Sequence, residues 1–138
     1  MKRPARGPVP RPRGTGSPRR DRRAIERGGE GIAGVLNRAG GAWNGARVTP
    51  MFGRWGYLVG DDMFGCYPIR PKDHDLWVRL SRADQARALA GDGVRPHRRF
   101  AGRGWIECDI TEPGELPRAL KWLRRGYEAA RRDRLGRA

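Results

Sequence analysis

Apolar and polar positions alternate most cleanly along Leu76-Trp77-Val78-Arg79-Leu80, with Leu76, Val78 and Leu80 on one side and Trp77 and Arg79 on the other. A period of two marks a half-buried strand, here Asp75 to Leu80. Gly104 to Ile110 repeats the pattern, Ile106, Cys108 and Ile110 alternating with Trp105, Glu107 and Asp109. Trp55 to Val59 and Met63 to Ile69 predict two more strands, joined as a hairpin by Gly60-Asp61-Asp62. At the C-terminal end the period lengthens. Leu116, Leu120, Leu123, Tyr127 and Ala130 are spaced as one face of a helix, with Pro117 in the first turn where a missing N–H costs nothing.

Two shorter helical signals complete the pattern. Ser81 stands as an N-cap with Asp84 in capping-box position and Gly91 as the stop. Ala83, Ala86, Leu89 and Ala90 give this helix a thin apolar face. Nearer the N-terminus, Ile25, Ile32, Val35 and Leu36 form a stripe that predicts a helix between Asp21 and Arg38, ending before Gly40-Gly41. The resulting order, α-β-β-β-α-β-α, predicts an α+β fold: a two-layer sandwich with a small antiparallel sheet and its helices on one face. Within it, Met51-Phe52-Gly53 recurs as Met63-Phe64-Gly65. Each copy sets a flexible apolar residue and an aromatic beside a glycine, a combination that plugs a core where backbones approach closely.

Composition divides the chain. Residues 1–20 are a Pro/Arg/Gly tract with almost nothing to bury, so a disordered basic tail is expected there. Residues 21–132 carry the folded pattern and 133–138 a basic end. The formal net charge is +15. It sits at the two ends, leaving the middle nearly neutral. Clustered positive charge attracts phosphate backbones, with an affinity that falls steeply as salt rises. Lysine is scarce and arginine abundant alongside Gly, Pro and Ala, a bias that a GC-rich coding sequence also produces. No apolar run approaches the ~18 residues of a membrane span. Cys66 and Cys108 form neither a metal-ligand spacing nor a disulfide framework, and the expectation is a cytoplasmic protein with both thiols reduced and buried.

Several short motifs, in order, resemble the N-terminal domain of the TfoX/Sxy family. They are Met51-Phe52-Gly53, Gly60-Asp61-Asp62-Met63-Phe64, Leu76-Trp77-Val78-Arg79-Leu80, Val94-Arg95-Pro96, Gly104-Trp105-Ile106 and Leu120-Lys121-Trp122-Leu123. The resemblance covers about Asp21 to Arg132. Two families of similar architecture compete: the MmcQ/YjbR-like proteins, and a luciferase-type domain of unknown function that resembles Pro96-His97, Gly104-Trp105-Ile106 and Ala119 to Tyr127. The TfoX resemblance implies a regulator of competence genes or a relative of one, with no known catalytic residues; no cofactor is expected.

The candidate chemistry is correspondingly spare. His74 lies between Asp73 and Asp75 in a polar loop and reads as part of a solvated turn. His97 precedes Arg98 and Arg99, which lower its pKa, and reads as a surface residue or part of an anion-binding loop. Glu107 and Asp109 share a strand face with Trp105, either facing solvent or pairing with Arg79. Trp77 and Trp105 are read as core beneath a helix, or as an aromatic platform for bases. No phosphate loop, nucleophile elbow or metal cluster is present in the sequence. The expected function is a non-enzymatic regulatory or adaptor protein with nucleic acid or a protein as partner. Its candidate phosphate contacts are Arg118, Lys121, Arg124, Arg125, Arg131 and Arg132 on the closing helix and Arg19, Arg20, Arg22 and Arg23 in the tail. The other reading is a small enzyme or ligand-binding domain whose pocket lies between sheet and closing helix, near Trp105, Glu107 and Tyr127.

Overall fold

The computed structural model describes residues 31–70 and 74–137. Along them run α1 (Ile32–Ala42), β1 (Ala46–Met51), β2 (Arg54–Val59), β3 (Asp62–Pro68), β4 (Asp75–Arg79), α2 (Arg82–Leu89), β5 (Val94–Pro96), β6 (Trp105–Asp109) and α3 (Leu116–Arg137). The strands form one sheet in the order β1-β2-β3-β4-β6-β5, and every neighbouring pair is antiparallel. The fold is α+β, as the periodicities predict. The four expected strands are present to within one residue at either end; β1 and β5 are additional edge strands.

The extra strand β1 changes the role of the first Met-Phe-Gly. Met51 pairs with Arg54, so Phe52-Gly53 is a two-residue hairpin loop. Both residues take positive φ, 51° and 77°, the mirror-image turn that matches the twist of a hairpin. Phe52 is 98% exposed, so this copy plugs no core, contrary to expectation. The second copy does. An irregularity in the β2–β3 register between Tyr57 and Leu58 accompanies full burial of Phe64. Gly65 admits α3, since a Cβ there would stand 2.7 Å from Leu123 Cδ1 and 3.0 Å from the Trp77 carbonyl oxygen.

The helices cover one face of the sheet. Leu123 and Tyr127 of α3 are buried against it with Phe64, Val78 and Ile106, and Leu120 is half-buried. Gly126 brings the α3 backbone down onto β4, where a Cβ would meet Val78 Cγ1 at 2.7 Å. Helix α1 does not end before Gly40-Gly41 but runs through them to Ala42, because the Tyr57 ring rests on Gly40. The expected helical residues before position 31 lie outside the described residues. In α2, Ser81 Oγ accepts the Asp84 N–H at 3.2 Å, the N-cap foreseen. Its buried face, however, is Asp84 and Ala88, while Ala83, Ala86 and Ala90 are exposed. Asp84 explains the difference: Arg125 of α3 donates to both of its oxygens at 2.9 Å, docking the helices through charge rather than an alanine face. Cys66 and Cys108 are free and buried, on opposite faces of the sheet, and burial raises both thiol pKa values.

Candidate functional site

Side chains alternate along each strand, so Trp77 and Arg79 of β4 and Trp105, Glu107 and Asp109 of β6 point away from the helices. Arg79 stands directly opposite Trp105, and Trp77 opposite Glu107. The two tryptophans are therefore not core beneath a helix. Both are half-buried on the helix-free face.

The connection from β5 to β6 folds over this face and is pinned at several points. The His97 N–H donates to the Trp105 carbonyl at 3.2 Å, and Gln85 of α2 donates to the Ala101 carbonyl at 2.7 Å. Gly104 is the hinge of the arrangement. Its φ is +94°, and a Cβ would collide with the Leu80 carbonyl oxygen, while its own carbonyl accepts the Leu80 N–H at 3.0 Å. Glycine is required here on both counts. The effect is to hold Arg103 and Phe100 over the end of β4.

His97 is buried at 3% exposure and is not the surface residue its arginine neighbours suggest. Its ring meets Trp77 edge to face at 4.3 Å and stacks on Phe100 at 5.0 Å, with Trp105 at 6.3 Å. Nδ1 accepts the N–H groups of Arg99 and Phe100, both at 3.1 Å, so the neutral ring carries its proton on Nε2. Nε2 is buried and has no partner among the described residues. Burial pushes the His97 pKa below its ordinary value, with Arg98 and Arg54 adding to the effect and Glu107 opposing it.

Glu107, 1% exposed, pairs with Arg95 at 2.9 Å and Arg98 at 3.3 Å rather than with Arg79. Burial alone would raise this carboxyl, but hydrogen bonds from the Arg98 side chain and backbone, with the Arg95 charge, hold it below the usual carboxylate range. On the other side of Trp77, the Arg54 guanidinium lies 3.9 Å over the ring. Asp75 accepts the Trp77 indole N–H at 2.7 Å. Trp77 is thus held from several sides in one orientation.

Three cavities meet at Arg103. One, of about 170 Å³, is walled by Met63, Trp77, Phe100 and Trp105. A second, of about 150 Å³, is lined by Arg79, Ser81, Arg132 and Asp133, and a third, of about 540 Å³, by Arg82, Gln85 and Gly102. Arg79, Arg82, Arg103 and Arg132 form no salt bridge among the described residues. A surface of free guanidinium groups thus adjoins a small aromatic pocket.

The expected site residues are distributed differently. On α3, Arg125 is committed to Asp84, and Arg124 pairs with Glu128 at 3.2 Å while covering Trp43 and Tyr127. Arg118 donates to the Asp109 carbonyl at 3.2 Å, Arg131 to the Tyr127 hydroxyl at 3.0 Å, and Lys121 lies 4.7 Å over Trp122. Of the six, only Arg132 joins the cluster at Arg103. Arg19, Arg20, Arg22 and Arg23 lie outside the described residues. Trp105, Glu107 and Tyr127 are not brought together: Tyr127 sits on the helix side against Trp43 and Phe64, the other two on the opposite face. Reading the sequence missed Phe100, Arg82 and Arg103. Their only sequence signal was proximity to Gly104 and Ser81, the residues that place them.

Among the described residues no helix is long and apolar enough to cross a membrane. No family model, curated protein or solved structure matches the chain.

Proposed function

We propose that the chain is a non-enzymatic regulatory or adaptor protein that contacts nucleic acid, in keeping with its resemblance to TfoX-like domains. The observation that carries the reading is the cluster of Arg79, Arg82, Arg103 and Arg132 around adjoining cavities, four cations that form no salt bridge among the described residues and outnumber the one carboxylate lining those cavities, Asp133. Guanidinium groups left free on one surface are suited to phosphate, which accepts their paired N–H donors. Several arginines elsewhere are committed internally, as Arg125 is to Asp84 and Arg95 and Arg98 are to Glu107, whereas these four stand together without such a partner. The basic ends add a longer-range attraction to the same polyanion.

The test is the salt dependence of oligonucleotide binding by the full chain. Affinity is expected to fall steeply with salt, and Arg103→Glu with Arg132→Glu to reduce the log–log slope, each lost phosphate contact removing about 0.7–0.9 of a unit. Absence of binding at low ionic strength, or a slope unchanged by the double substitution, would contradict the assignment of this surface.

A further inference from the structure

We propose that the cavity walled by Trp77, Phe100 and Trp105 seats one nucleobase of a single-stranded nucleic acid, whose adjoining phosphates lie on Arg79, Arg103 and Arg132. This rests on reading the arginine cluster as a phosphate surface and adds what such a surface alone lacks, a seat for a base.

Size, walls and position favour a base. A volume of about 170 Å³ is close to that of an apolar cavity that accepts benzene, ~150 Å³, so one flat ring system fits and two stacked rings do not. The walls are two indoles, a phenyl ring and the Met63 thioether, surfaces on which any base can stack. Arg103 lines both this cavity and the one bounded by Arg79 and Arg132, so the aromatic seat and the phosphate seat are contiguous. A ring joined to phosphate is what the pair of cavities accommodates together.

His97 stiffens the seat. It is buried, does not itself line the cavity, and packs its ring against Trp77 at 4.3 Å and Phe100 at 5.0 Å, holding two of the walls in place. Within a duplex both faces of a base are stacked, so the occupant is an unpaired strand.

Binding of the full chain is compared, by fluorescence anisotropy at low and moderate salt, for three probes. They are a single-stranded oligothymidylate of about 8 nucleotides, a strand of equal length made of abasic sugar-phosphate, and a duplex of matched length. Oligothymidylate is expected to bind about tenfold or more tightly than the abasic strand and to quench tryptophan fluorescence. Trp105→Ala is expected to lower its affinity to the abasic level, with Trp105→Phe retaining most of it. Because Trp105→Ala can perturb the fold, quenching of the unsubstituted protein by oligothymidylate and not by the abasic strand supplies the same evidence. Equal affinity for abasic strand and oligothymidylate, or duplex binding as tight as single strand, would overturn the base seat while leaving the arginines as a phosphate surface. Failure of all three probes to bind at low salt would overturn both.

Discussion

Single residues show how local conformation and burial outrank composition. Phe52 has an aromatic side chain at φ +51° with almost all of its surface in water. A bulky residue in the left-handed region costs about 1–2 kcal/mol, and no burial offsets it here. Phe52→Asn, with Gly53 following, restores the preferred pair for this turn and is expected to raise stability by about 1 kcal/mol. A lowered thermal midpoint would show that the ring is packed against something. His97 provides a second test. Its folded-state pKa lies below the usual ~6.5, so its stabilising contribution is complete above that value. It is lost as pH falls through the folded value, because the unfolded chain takes up the proton first. Denaturant midpoints of the native protein should begin to fall below about pH 6.5, whereas His97→Gln should hold until the carboxylates of the unfolded chain begin to take up protons, near their ordinary ~4. Superimposable profiles would refute a buried neutral imidazole.

At the scale of elements, what was legible in the sequence was whatever a single periodicity determines. Strand β4 and helix α3 carry uninterrupted patterns, and both are central to the core. Leu123 is fully buried where α3 crosses Gly65, so Leu123→Ala is expected to cost ~2–5 kcal/mol in chemical denaturation. An unchanged midpoint would remove α3 from the sheet. The elements not foreseen lack such a pattern. Strand β5 is three residues long and ends in Pro96; β1 contains Pro50 and is half-exposed, and each gains its place by pairing with a neighbour. Helix α2 was located correctly by its cap but given the wrong buried face, because Asp84 is satisfied by Arg125, 41 positions away. Such a partner is invisible to any local window.

For the molecule as a whole, charge was legible as an amount and only partly as a location. The sequence places the excess of arginine at its ends, yet along α3 most of those side chains are drawn into contacts with carboxylates, carbonyls and rings. The cluster arises where the turn before Gly104 and the C-terminal half of α3 meet the junction of β4 with α2, segments that come together only on folding. The aromatic platform was partly foreseen, since Trp77 and Trp105 share a face by strand parity; the Phe100 wall and the His97 beneath it were not. The most direct measurement of this account is a titration of the five tryptophan indole N–H signals by nuclear magnetic resonance with single-stranded oligothymidylate. The signals of Trp77 and Trp105 should shift together, while those of Trp43, Trp55 and Trp122 on the helix side stay in place. Shifts confined to Trp43 and Trp122, or none at any concentration, would contradict the placement of the functional surface on the helix-free face.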